Sequence, residues 1–99
     1  MEKRNLPVNA IESPVGTLTP TLRAARSVNA LGGFAEVLRR LAGFDFDAFV
    51  AVVAAGAGKK ASEVEDAVYE AGLPSLVEPL SQFVESLANG GKPIKPATP

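Results

Sequence analysis

The sequence predicts an all-α chain: a small bundle of about five short helices (17–91), with a flexible N-terminal arm (1–16) and a disordered tail (92–99). Apolar residues recur at three- and four-residue steps through successive segments. Glycines and prolines separate those segments, and small polar or acidic residues stand where helix N-termini need capping.

The arm carries Pro7, Pro14 and Gly16 among scattered apolar positions and reads as flexible. Ile11 and Val15 leave a short extended piece open as the alternative. In "LTPTLRAARSVNALGG", Thr19 suits an N-cap and Pro20 the first helical position, where no N–H is needed. Leu22, Ala25, Val28 and Leu31 then form a narrow apolar stripe, and Gly32–Gly33 stop the helix. In "FAEVLRRLAG", Phe34, Val37, Leu38 and Leu41 fall at i, i+3, i+4, i+7. Arg39 and Arg40 complement the dipole in its last turn, and Gly43 is expected as the left-handed terminator.

"GFDFDAFVAVVAAG" places Asp45 as an N-cap, with Phe44 and Phe49 spaced for a hydrophobic staple. Its valines leave a strand open, but the staple and the alanines favour helix. Such a helix is apolar nearly all round and belongs in the centre of the domain. "ASEVEDAVYEAGLP" reads as a capping box of Ser62 and Glu65, a buried stripe of Val64, Ala67, Val68 and Ala71, and a left-handed Gly72 that lets Leu73 fold back on Val68. In "PSLVEPLSQFVESLANGG", Leu76, Leu80, Phe83, Val84 and Leu87 line one side. Ser75 suits an N-cap there, yet Pro79 points to a start at Glu78–Pro79. Asn89, Gly90 and Gly91 end the helix.

Composition narrows the chemistry. With 99 residues, 46% of them hydrophobic, the chain is one domain. Ten Lys and Arg against eleven Asp and Glu leave a net charge of −1, which gives no general attraction to nucleic acid. The absence of Cys removes disulfides and thiolate metal sites, and the absence of His removes the commonest general base. The longest apolar-and-small run, Ala48 to Gly58, has eleven residues, whereas a membrane-spanning helix needs about 20. No signal-peptide-like apolar run follows the basic start. A soluble cytoplasmic chain is expected, with neither membrane nor nucleic acid as partner.

The run "AFVAVVAAGAGKKAS" ends in glycines and lysines but is no phosphate loop. Aligned on Gly58–Lys59, Val53 stands where the first glycine should be and Lys60 where the hydroxyl should be. The carboxylates Asp45 with Asp47, and Glu63 with Glu65 and Asp66, sit in first helical turns, where capping and the dipole account for them. Ser62 has no histidine to activate it. Arg23, Arg26, Arg39 and Arg40 read as a solvated face, with a protein partner as the next reading. The end "GKPIKPATP" reads as a linker or free end rather than a recognition peptide. No catalytic residue, cofactor or metal ligand is assigned, and the chain is read as not an enzyme.

The succession from "LTPTLRAARSVNALGGFAEVLRRLAGFDFDAFVAVVAAGAG" to "VEDAVYEAGLPSLVEPLSQFVESLANGGKP" resembles small proteins of phage and gene-transfer-agent tail clusters. Shared features are an F-D-x-x-A helix, an E-x-A-V-x-x-x-G-L segment and a last amphipathic helix running into N-G-G. Those proteins often begin with a longer β-hairpin-like segment, whereas the arm before Gly16 is short and Pro-interrupted. The resemblance implies tail morphogenesis by binding. Of its two described roles, tail assembly chaperone suits an all-helical chain better than tail tube component, because such tubes are built from β-structure. A small DNA-binding regulator is the remaining alternative.

The implied partners are the long helical tape-measure protein and the tail tube subunit, and the implied setting is a bacterial host cell or the virion. An apolar groove between helices would hold apolar stretches of the tape measure. Candidate contacts are Phe34, Phe46, Phe83 and Leu87, each of which also suits the core, together with Arg39 and Arg40. Oligomeric state is left open by the sequence.

Overall fold

A computed structural model describes residues 9–92. The expectations for residues 1–8 of the arm and 93–99 of the tail lie outside the described residues. Five helices follow a small hairpin: β1 (Ile11–Ser13), β2 (Gly16–Leu18), α1 (Leu22–Asn29), α2 (Phe34–Ala42), α3 (Phe46–Ala57), α4 (Ala61–Ala71) and α5 (Leu73–Ala88). The all-α bundle expected from the periodicity is present. Among the described residues, no helix is long and apolar enough to cross a membrane.

Helix α3 is the hub. It packs against each of the other four helices and against β2. Seven of its residues are buried, including Phe49, Val52 and Val53, so its all-round apolarity is matched by neighbours on every side. Asp45 caps it, its carboxylate accepting the Ala48 N–H at 3.3 Å. Gly58 closes it in the left-handed conformation. Helix α5 lays Leu76, Leu80, Phe83, Val84 and Leu87 onto this core, and the buried Ser86 hydroxyl is satisfied by donating to the Phe83 carbonyl at 2.8 Å.

The hairpin corrects the reading of residues 9–16 as flexible. Strands β1 and β2 pair antiparallel, with Ile11 opposite Leu18 and Ser13 opposite Gly16. Leu18 is fully buried, and Ile11 and Val15 pack against the core. The Thr17 hydroxyl donates across the pair to the Glu12 carboxylate at 2.9 Å. The Thr19 N–H donates to the Gly56 carbonyl at 2.9 Å. That carbonyl lies in the last turn of α3, where helices leave acceptors without intrahelical donors. The hairpin therefore satisfies a helix end as it covers the core.

Several boundaries differ from the expected ones. Helix α1 is capped by Thr21, whose hydroxyl accepts the Ala24 N–H at 3.0 Å, and not by Thr19. Pro20 precedes the cap, because Thr19 is engaged with α3. The buried face of α1 is consequently Ala24 and Val28, and Leu22 is 74% exposed. After α2 the left-handed residue is Phe44, at φ 59°, while Gly43 keeps a negative φ of −91°. The Asp45 N–H reaches back to the Arg40 carbonyl at 2.9 Å, which closes α2 around Phe44. Phe44 is 52% exposed while Phe49 is fully buried, so the cap and this closure set the entry to α3 without a buried Phe44.

The capping box of α4 falls two residues before its expected place, on Lys60 and Glu63 in place of Ser62 and Glu65. Ser62 is already helical, and the Glu63 carboxylate accepts the Lys60 N–H at 3.1 Å. The link Gly58–Lys60 is so short that α4 begins at once. At its far end, Gly72 adopts φ 88° and ψ 131°, a conformation open to glycine alone, and turns the chain in one residue. Helix α5 therefore starts at Leu73, not at Ser75 or Pro79. Pro74 is harmless in the first turn, and the Ser75 hydroxyl donates to the Ala71 carbonyl at 2.9 Å. Pro79 lies inside the helix, kept there by the burial of Leu76 and Leu80 on either side.

Candidate functional site: an apolar cleft and a basic cleft

Two open concavities border α3 and α4. The first lies where α3 begins and α4 gives way to α5. It is an open cleft of about 560 Å³ lined by Phe46, Tyr69, Gly72 and Leu73. Phe46 and Leu73 are half-buried against the core, whereas Tyr69 is 76% exposed. The sharp turn at Gly72 forms this cleft, because it brings the first residue of α5 against the end of α4 without a loop to cover the gap.

The second concavity, about 680 Å³, lies between α1 and the α3–α4 link. Its floor is α3 alanines, among them Ala51 and Ala55, and its rim carries Arg23, Ser27, Lys59 and Lys60. Glu63 also borders it, with its carboxylate already accepting the Lys60 N–H.

The six sequence-derived partner contacts scatter over the molecule. Phe46 lines the apolar cleft. Phe34 is half-buried against the core at the start of α2. Phe83 is fully buried and Leu87 is 5% exposed, so neither offers a partner any appreciable surface. Their stripe on α5 is the one that meets the core. Arg39 is exposed, its Nε donating to the Glu36 carboxylate at 3.0 Å. Arg40 is more enclosed, and its Nε donates to the Asp45 carboxylate at 2.9 Å.

These pairs explain the charge balance locally. The hydrogen bond from Arg40 and then that from the Ala48 N–H hold the Asp45 carboxyl below its usual pKa. The hydrogen bond from Arg39 lowers Glu36 in the same way. Asp45 and Glu63 are capping groups, while Asp47, Glu65 and Asp66 are exposed. Among the described residues, no group of three acidic, His or Cys side chains converges to hold a metal ion. Lys59 and Lys60 follow a helix and not a strand, which a phosphate loop would require.

Tyr69 and Leu73 escaped the sequence reading. Tyr69 follows Val68, so it lies about 100° round the helix from the buried Val64–Val68 stripe, and this off-stripe aromatic was a usable signal. The sequence pairs Leu73 with Val68, and only the continuation into α5 puts it in the cleft. Compared with known protein families, curated proteins and solved structures, the chain shows no match. The likeness to tail proteins therefore rests on the pattern of helices alone.

Proposed function

We propose that this chain is a non-enzymatic docking protein of phage or gene-transfer-agent tail morphogenesis, a tail assembly chaperone that holds the tape-measure protein. The observation that carries the docking reading is the apolar cleft of Phe46, Tyr69 and Leu73, with its largely exposed aromatic ring. A tyrosine supplies a large contact area at small entropic cost, and amphipathic helices are recognised by apolar grooves of this kind. The tail assignment draws on the resemblance, and the hairpin Ile11–Leu18 ahead of the helices adds to it. A two-stranded hairpin is too little sheet for a tube wall, which favours the chaperone over the tube component.

Coexpression with a tape-measure protein and affinity pull-down tests this. The wild-type chain retains the partner, and Tyr69→Glu releases it while circular dichroism stays unchanged. Absence of retention at low salt overturns the reading. Recovery of the chain in purified particles would make it a structural component instead.

A further inference from the structure

The basic cleft has a composition that neither folding nor the apolar cleft uses. Arg23 and Ser27 stand one turn apart on α1, and Lys59 and Lys60 face the same concavity from the α3–α4 link. None of the three cations forms an ion pair among the described residues, whereas Arg39 and Arg40 both do. Like charges gathered around one concavity repel each other, and Glu63, the acidic side chain among its lining residues, offsets one of the three. An anionic occupant would offset that repulsion. The alanine floor offers methyl groups, not polar partners, so the occupant brings carboxylates on apolar stems. A phosphodiester strand fits poorly, since it carries charge at every residue and would meet the exposed Glu65, Asp66 and Glu70 on α4, whereas a helix with carboxylates on one face can turn its charge to the cleft alone.

We propose that the cleft between α1 and the α3–α4 link receives a glutamate-bearing helical segment of a partner polypeptide. The proposal rests on the docking reading and specifies its partner: apolar at one contact, acidic at the other. Charge complementarity of this kind selects partners and speeds encounter. At about 680 Å³ the cleft has the size of sites that enclose ligand-sized groups, room for a few side chains of a docked helix.

The test is a titration of the full chain, followed by amide NMR, with an alanine-rich synthetic peptide carrying Glu at every fourth position. Its Gln counterpart, inorganic phosphate and a single-stranded DNA oligonucleotide serve as the other arms. The Glu peptide shifts the amides of Ser27, Lys59 and Lys60 saturably, more weakly as salt rises, and the Gln peptide does not. The combined variant Arg23→Gln, Lys59→Gln, Lys60→Gln binds the Glu peptide at least about tenfold more weakly with an unchanged circular dichroism spectrum. No shift, equal shifts with the Gln peptide, or tighter binding of phosphate or DNA overturns the proposal. The same variant in the tape-measure pull-down separates the two readings. Retention equal to wild type counts against the acidic contact alone, whereas failure of wild type itself removes the docking partner and leaves the peptide titration to decide the cleft.

Discussion

Leu18 of the hairpin rests directly on Gly56 of α3. A Cβ built on Gly56 would lie 2.9 Å from Leu18 Cδ2 and 2.9 Å from Phe83 Cζ, closer than carbon atoms pack. Three elements thus converge on a point where only a hydrogen fits, and the Thr19 N–H to Gly56 carbonyl bond sits beside it. Within a helix, alanine normally gains about 1 kcal/mol over glycine. Here overpacking outweighs that gain, because Leu18 and Phe83 are both fully buried in the core and both lie within 3 Å of the added carbon. Gly56→Ala is expected to destabilise by about 1–2 kcal/mol, read as a lower urea midpoint. A stability at or above wild type would show that the hairpin yields freely.

Pro79 has the opposite expectation. It lies within α5, cannot donate to the Ser75 carbonyl, and crowds that carbonyl with its ring. Part of the usual penalty is offset because proline also restricts the unfolded chain. Pro79→Ala should raise stability by about 1–2 kcal/mol, seen as a higher urea midpoint at unchanged slope. An unchanged midpoint would mean that the helix already accommodates the ring without strain.

Asp45 makes the fold sensitive to acid. Its carboxyl is held below the ordinary value of 3.8 by the bond from Arg40 and then by the Ala48 N–H. A folded-state pKa below the unfolded one contributes stability that is complete above about pH 4 and is lost as pH falls through the lowered value. Asp45→Asn keeps a capping oxygen but loses the charge. It should be less stable than wild type at pH 7, with a shallower decline between about pH 4 and pH 2 in urea titrations. Glu36 is lowered too and acts in the same direction in both proteins, so the difference between them isolates Asp45. Parallel pH curves would remove the Arg40–Asp45 pair from any role in acid stability.

Local sequence specifies the helices and their order. Periodic apolar spacing, Gly and Pro punctuation and acidic first turns act within one or two turns of chain, and the centrality of α3 follows from a segment with no polar face. It also specifies the stripe from Leu76 to Leu87, because i, i+4, i+7 spacing fixes a face whatever that face meets.

Packing between the elements set the rest. Strands of three residues carry too little alternation to be read, and the hairpin exists because Leu18 finds Gly56 and Thr19 finds an open carbonyl at the end of α3. That anchor moved the α1 cap from Thr19 to Thr21. Burial of Leu76 and Leu80 kept Pro79 inside α5, and the single-residue turn at Gly72 placed Leu73 beside Phe46 and Tyr69. The same packing withdrew Phe83 and Leu87 into the core. Periodicity defines which side of a helix is apolar, but only the neighbours filling the space against it determine whether that side is buried or left open to a partner.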